Sequence, residues 1–300
     1  MRIASLLPSA TEIVFAVGAG TEVVGISHGC DYPAAARGLP VLTGPAVETH
    51  GLPQAEIDAA ISGLLAAGGS TYRIDVSRLR ELRPDLVITQ ALCDICAVSE
   101  RQVHRVVHEE QLGARVLTLT PLDLDGVARS LEEVGEAAGR PAEGARLAAE
   151  MRERMTPRVP ASSPLRVAAL EWLDPPYAAG HWVPEQIARA GGEDTLGRAG
   201  EKSERVTWAA IAASRPDVVL LLPCGLSLDE VVREAEALAR RPEWRALPAV
   251  ACGAVWALDA NAWFSRPGPR LIDGIEAIRA ILADPAGDQP VAGARRLSLL

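Results

Sequence analysis

Aromatic residues are scarce in this 300-residue chain, at 4%, and acidic residues outnumber basic ones, 39 to 30, for a net charge of −9. No cluster of Lys and Arg forms a stripe. Partners bound through such stripes, nucleic acids and anionic membrane surfaces, are therefore excluded. No stretch reaches the ~18 unbroken apolar residues of a spanning helix, so membrane insertion is not expected. The first strand begins at Arg2, with no preceding basic region, apolar run and cleavage site. A cytoplasmic location is expected, with a periplasmic or surface-anchored one only if a leader has been removed. The five cysteines, an odd count, agree with a reducing compartment. A Gly-x-Ser-x-Gly elbow, a phosphate loop, a dinucleotide fingerprint and a zinc-protease helix are all missing. No catalytic residue is assigned, and an enzyme is not expected.

What the chain does have is an internal repeat. Arg2-Ile-Ala-Ser-Leu-Leu is matched by Arg166-Val-Ala-Ala-Leu-Glu, each a short apolar run before a proline-containing loop. Leu79-Arg-Glu-Leu-Arg-Pro-Asp-Leu-Val-Ile-Thr is matched by Ile211-Ala-Ala-Ser-Arg-Pro-Asp-Val-Val-Leu-Leu. Both read as a helix end, an Arg-Pro-Asp breaker and a buried strand. Each half closes on a Gly-Ala strand, at 113–119 and 253–258. Alternating strands and helices imply an α/β fold of two similar lobes, each a parallel sheet flanked by helices. The expected boundaries are 1–122 for the first lobe, 123–160 for a helical connector and 161–300 for the second. An insertion occupies about 42–75. In the connector, Leu124, Val127, Leu131 and Val134 recur at helical spacing and Pro141 opens a second helix. Two lobes on one connector form a cleft, where ligands bind.

Candidate ligand contacts lie at the carboxyl ends of strands, as is usual in open α/β sheets. In the first lobe these are Ser27, His28, Cys30 and Asp31 after a strand at 23–27, and Gln90, Cys93 and Cys96 after a strand at 85–89. Tyr72 lies at the rim of the insertion. Ser9, three residues before Glu12, reads as the N-cap of a helix over 13–17. Cys93-x-x-Cys96 has no second paired motif to complete a zinc site. It reads either as small apolar residues at a strand end or, with His28 and Cys30, as side chains able to touch a metal carried by a ligand. No intrinsic metal or cofactor is expected. In the second lobe a strand at 167–170 leads into Trp172, Tyr177, His181 and Trp182. Trp208 precedes a helix at 209–213, a long helix covers 228–240, and Trp263, Phe264 and Arg266 follow a strand at 255–258. Trp244 and Trp256 read as packing residues, and the tail beyond Asp284 as loosely ordered.

Six segments in this order, Leu7-Pro8-Ser9-Ala10-Thr11-Glu12, Asp31-Tyr32-Pro33, Pro84-Asp85-Leu86-Val87, Pro175-Pro176-Tyr177, Gly191-Gly192 and Trp263-Phe264-Ser265-Arg266, resemble the substrate-binding proteins of the cobalamin and iron-chelate ABC importers. The likeness covers nearly the whole chain. It implies lobes joined by a rigid helix, with a corrinoid gripped in the cleft as ligand. By motif position it assigns contacts to Trp172, Tyr177, Trp208, Trp263 and Arg266, and to the loop at 27–31. Haem or an iron–siderophore is the alternative ligand; a corrinoid-processing enzyme or chaperone is the alternative of another class.

The residues agree with a flat apolar ligand. Five of the eleven aromatics (Trp172, Tyr177, Trp182, Trp208 and Trp263) fall at loop or element ends of one lobe. Each indole can bury about 150–250 Å². The chain also departs from the family. Ser77 and residues 209–214 lack the carboxylates through which relatives dock on a permease, so the resemblance does not carry permease docking over to those positions. Ala262 and Gly29 replace an acidic residue and a tyrosine, leaving His28, Asp31, Tyr72 or Asn261 to meet a ligand's polar edge.

Overall fold

The computed structural model describes residues 1–49, 51–92, 98–157 and 163–298. The chain divides into two compact units: residues 1–52, 56–121 and 125–152 in the first, and 53–55, 122–124 and 153–300 in the second.

The first unit contains β1 (Ile3–Ser5), α1 (Pro8–Ala16), β2 (Val23–Ile26), β3 (Thr43–Pro45), α2 (Gln54–Ala66, whose first two residues belong to the second unit), β4 (Tyr72–Ile74), α3 (Val76–Leu82), β5 (Leu86–Gln90), α4 (Glu100–Glu109) and β6 (Arg115–Leu119). Its sheet has the order β2-β1-β5-β6, parallel throughout. Every residue of β5 is buried, as expected of a strand covered on both faces. The start of α1 differs from the expected one. Leu7 takes the N-cap position without a side-chain bond and Pro8 opens the helix, because proline's fixed φ and missing N–H suit the first turn. Ser9 is thus inside the helix and caps nothing. In the insertion, β3 and β4 pair antiparallel, and Leu42, Tyr72 and Ile74 pack against Ala4, Leu79 and Val87.

Helices α5 (Leu124–Ala137) and α6 (Pro141–Arg154) belong to the first unit except for their outermost residues, and the second unit contains β7 (Arg166–Leu173), β8 (Pro176–Ala178), α7 (Val183–Ala190), β9 (Glu193–Asp194), β10 (Glu204–Arg205), α8 (Trp208–Ala213), β11 (Val218–Leu221), α9 (Leu228–Ala235), α10 (Pro242–Arg245), α11 (Pro248–Ala251), β12 (Val255–Leu258), α12 (Ala260–Trp263), α13 (Leu271–Ala283) and β13 (Ala294–Arg296). Its sheet runs β10-β8-β7-β11-β12-β13, with β9 also on β7. The centre β7-β11-β12 is parallel, whereas β8, β10 and β13 are antiparallel. This corrects the expected all-parallel sheet: short antiparallel strands close both edges. The tail is corrected too, since β13 pairs with β12 and Trp256 Nε1 donates to the Pro285 carbonyl at 2.8 Å. The expected helix over 228–240 is α9 followed by a 3₁₀ turn at Glu236–Arg240.

The repeat extends to its wiring. In the first unit the Arg2 N–H donates to Asp85 Oδ2 at 2.7 Å, and Arg2 Nε to the Leu82 carbonyl. In the second, the Arg166 N–H donates to Asp217 Oδ2 at 2.8 Å, and Arg166 Nε to the Ser214 carbonyl. Arg83 and Arg215, each before the proline, both take left-handed conformations with φ of 43° and 45°. Each Arg-Pro-Asp thus ends a helix and pins the start of its unit's first strand.

Helices α5 and α6, read in the sequence as the connector, fold back on one another within the first unit. A Cβ on Gly144 would lie 2.6 Å from the Leu131 carbonyl oxygen, and one on Gly135 2.8 Å from the Gly144 Cα, so only glycine permits this approach. Arg152 ties the pair by bonding Asp125 at 2.8 Å and Glu132 at 2.6 Å. Among the described residues no helix is long and apolar enough to cross a membrane.

Candidate functional site

In the first unit β2 ends at Ile26 and a turn follows, the Cys30 N–H donating to the Ser27 carbonyl at 3.1 Å. Ser27 and Gln90 are buried, and Asp31 is exposed. Cys30 is buried too, its Sγ 3.0 Å from Thr11 Oγ1, which itself donates to Ser5 Oγ at 2.8 Å. The thiol is held inside the unit, a correction to its expected ability to touch a ligand metal. Cys93 and Cys96 lie outside the described residues.

His28 is the exposed member of this turn. Its backbone N–H donates to Thr43 Oγ1 at 3.2 Å and its Nδ1 lies 2.9 Å from the same oxygen. The ring rests 5.1 Å from the Tyr72 ring, tilted by 39°. Desolvation against these neighbours lowers its pKa, so the imidazole is mainly neutral at pH 7. With Nδ1 engaged, Nε2 is the nitrogen left for a metal, and a partner on the other ring nitrogen is the usual arrangement of a ligating histidine. Among the described residues no group of three or more His, Cys, Asp and Glu is arranged to hold a metal ion.

In the second unit, Trp172 and Tyr177 are not loop residues. They stand directly opposite each other on β7 and β8, and Arg205 of β10 stands opposite Tyr177. Side chains opposite one another on adjacent strands lie on one face. The result is a row, Trp172–Tyr177–Arg205, with the Arg205 guanidinium 5.8 Å from the Tyr177 ring centre. Both aromatic residues are half-buried. Trp172 Nε1 has no hydrogen-bond partner among the described residues.

The register shifts between Leu170 and Trp172, so Glu171 is the extra residue of a bulge, a device that re-aims side chains. Its carboxylate accepts the Gly180 N–H at 3.3 Å. Burial holds its pKa above the usual carboxylate range, against the lowering bonds from Ser203 and the Gly180 N–H. An unfolded glutamate ionises near its ordinary value of about 4.3. The folded carboxyl resists ionisation, so its stabilising contribution is full at acid pH and lost as pH rises from the ordinary value through the raised one. The thermal midpoint of Glu171→Gln, which mimics the protonated form, is therefore expected to exceed that of wild type at pH 7–8 and to converge with it near pH 4. Parallel melting curves across that range would refute this assignment.

The other aromatics divide. Trp182 is buried and its Nε1 donates to the Phe264 carbonyl at 2.7 Å, while Phe264 is itself buried. Both are packing residues, which corrects their place among the ligand contacts. Trp208, capped into α8 by Thr207, is 9% exposed. It meets Trp244 edge-on at 6.1 Å and lies under the Arg241 guanidinium at 5.5 Å, with Nε1 unpartnered among the described residues. Trp263 is half-buried and Arg266 buried. His181 is half-buried with φ +53°, and its Nε2 has no partner among the described residues. Burial, then the Lys202 charge, lowers its pKa.

Sequence reasoning missed Arg205, because a two-residue strand leaves no periodicity, and Gln54, whose side chain accepts the Leu173 N–H at 2.7 Å. Nothing in a lone Gln-Ala-Glu signals that role.

Known proteins resemble this chain in sequence and fold. The chain is 25% identical over 287 residues to the vitamin B12-binding protein of Vibrio cholerae, spanning 92% of this chain and 87% of that one. The crystal structure of the periplasmic vitamin B12-binding protein BtuF of Vibrio cholerae superposes with a TM-score of 0.66 at 25% identity, covering 96% of this chain and 98% of that one. The periplasmic haem-binding protein RhuT from Roseiflexus sp. RS-1 shares the fold, with a TM-score of 0.69 at 23% identity, 95% coverage of this chain and 99% of its own. A family model described as periplasmic binding protein matches residues 3–262. This chain belongs to the periplasmic binding protein family.

Proposed function

We propose that this chain binds a corrinoid, cobalamin or cobinamide, as a non-catalytic carrier of the ABC-importer type. The observation that carries the reading is the row Trp172–Tyr177–Arg205, a half-buried aromatic surface on one sheet face. Two indoles or phenols of that size offer a flat macrocycle several kcal/mol of gross attraction at about 25 cal/mol per Å². The likeness to vitamin B12-binding proteins over most of the chain supports the same ligand. The compartment is proposed to be the periplasm. This replaces the expected cytoplasmic location, which the family membership does not support. A permease is proposed as partner at the family level, through residues other than Ser77 and those at 209–214.

Titration with hydroxocobalamin, cobinamide, haemin and a ferric siderophore, following tryptophan quenching and the visible bands, tests the ligand. Quenching by the corrinoids is expected. Quenching only by haemin or the siderophore would reject the corrinoid. Recovery of a chemically altered corrinoid would reject the non-catalytic reading. With hydroxocobalamin, a visible-band shift that disappears in His28→Ala is expected from Nε2 on cobalt. A shift that survives the substitution removes His28 from the metal.

A further inference from the structure

Beside the tip of the β7–β8 hairpin lies a cavity of about 310 Å³, lined in part by Gln54, Leu173, Asp174, Glu234, Leu238 and Arg241. Gln54 is 2% exposed. Its Oε1 accepts the Leu173 N–H at 2.7 Å. Since an N–H must meet an oxygen, that bond fixes which end of the amide is which. It leaves Nε2 as a buried donor without a partner among the described residues. Buried donors are nearly always paired, so this one calls for an acceptor.

The charges around it decide what kind. Two acidic residues, Asp174 and Glu234, and two basic ones, Arg240 and Arg241, line the cavity. Arg241 is committed twice, to Asp174 at 3.1 Å and to the face of Trp208 at 5.5 Å. A carboxylate entering here would gain the Gln54 donor but find no spare positive charge to neutralise it, since Asp174 holds Arg241 and Glu234 offsets Arg240. A carboxamide is complementary at both ends: its oxygen accepts from Gln54 Nε2, and its N–H groups face Asp174 and Glu234.

We infer that this cavity takes a neutral carboxamide arm of the macrocycle and selects it over a carboxylate arm, with Gln54 Nε2 as the donor. The inference rests on the proposal that the aromatic row beside the cavity holds a macrocycle, and it names the edge chemistry that the site reads. Corrinoids carry carboxamides on their rim, and haem carries carboxylates.

The test uses four probes: cyanocobalamin, its monocarboxylic acids made by hydrolysing single propionamide arms, haemin, and haemin with both propionates converted to amides. Wild type is expected to bind the amide form of a macrocycle about 10-fold or more tighter than an acid form. Gln54→Glu keeps an oxygen for the Leu173 N–H but removes the donor. It is expected to weaken amide binding by about 10-fold or more, with a melting curve showing that the variant is still folded. Asp174→Asn releases Arg241 and is expected to narrow the amide preference. Equal wild-type affinity for amides and acids, or amide binding unchanged in Gln54→Glu, overturns the inference. If cobalamin does not bind but haemin diamide binds better than haemin, the corrinoid reading fails and the carboxamide inference stands. Binding of none of the four overturns both.

Discussion

Trp172→Ala is expected to lower cobalamin affinity by about 30–100-fold, because truncating a central aromatic anchor removes roughly 2–3 kcal/mol of binding free energy. Trp172 is the inner end of the row, opposite Tyr177 and two strands from Arg205. Its ring is half-buried, so it offers a face to a ligand while the hairpin fixes its position. Fixed aromatics lose little rotamer freedom on binding, and more of the gross attraction survives as affinity. The unpartnered Nε1 adds a donor for a rim carbonyl. Trp172→Phe separates the two contributions. It keeps a flat face and drops the N–H, and it is expected to lose only about 3–10-fold, the worth of one hydrogen bond. Equilibrium titration with parallel melting curves decides. A folded Trp172→Ala that binds cobalamin within threefold of wild type removes the row from the site. Trp208→Ala is the contrasting case, since that ring is mostly packed against Trp244 and Arg241. Its truncation is expected to lower the melting temperature along with the affinity.

Much of the fold could be read before any coordinates. The Arg-Pro-Asp repeat marked a helix end and a buried strand in each half, and the structure adds that the same aspartate oxygen and the same arginine serve both units. Long periodic helices such as α5 and α6 were equally plain, because 14 residues each give the 3.6-residue period time to show. What escaped was short. The strands β8, β10 and β13 have three, two and three residues, too few for alternation, and Pro175-Pro176 reads as a loop. That cost the platform: Trp172 and Tyr177 were picked out as aromatics at a strand end, but their pairing depends on a bulge at Glu171 that no spacing reveals. The same loop logic overreached at Trp182 and Phe264. An aromatic at an element end turns inward whenever its polar atom finds a partner there, and Trp182 Nε1 finds the Phe264 carbonyl. The periplasmic proposal rests on family membership alone, because composition and an apparent first strand at Arg2 carry no information about delivery.

The tail supplies the second large effect. Gly293, just before β13, has φ +60°, and a Cβ placed there would stand 1.9 Å from Cη2 of the Trp263 ring. Its carbonyl accepts the Asp259 N–H at 2.9 Å, and Asp259 Oδ1 in turn accepts the Ala262 N–H that starts α12. One residue is thus both the floor under Trp263 and the anchor of the helix that carries it. Gly293→Ala is expected to destabilise the protein by about 2–5 kcal/mol, from about 1–2 kcal/mol of left-handed strain and about 1–3 kcal/mol of overpacking. The two parts are separable. In a Trp263→Leu background the clash is gone and only the strain remains, so the second alanine substitution is expected to weigh less, a coupling of about 1–3 kcal/mol measurable by denaturant unfolding. Additive effects would show that the ring does not rest on the glycine. The same cycle read by cobalamin titration tests the ligand role of Trp263. If that ring contacts the macrocycle, Gly293→Ala lowers affinity in the wild-type background by displacing it and has no further effect once Trp263 is leucine. If affinity is indifferent to both substitutions while stability responds, Trp263 belongs to the packing of the tail, and the ligand is held without it.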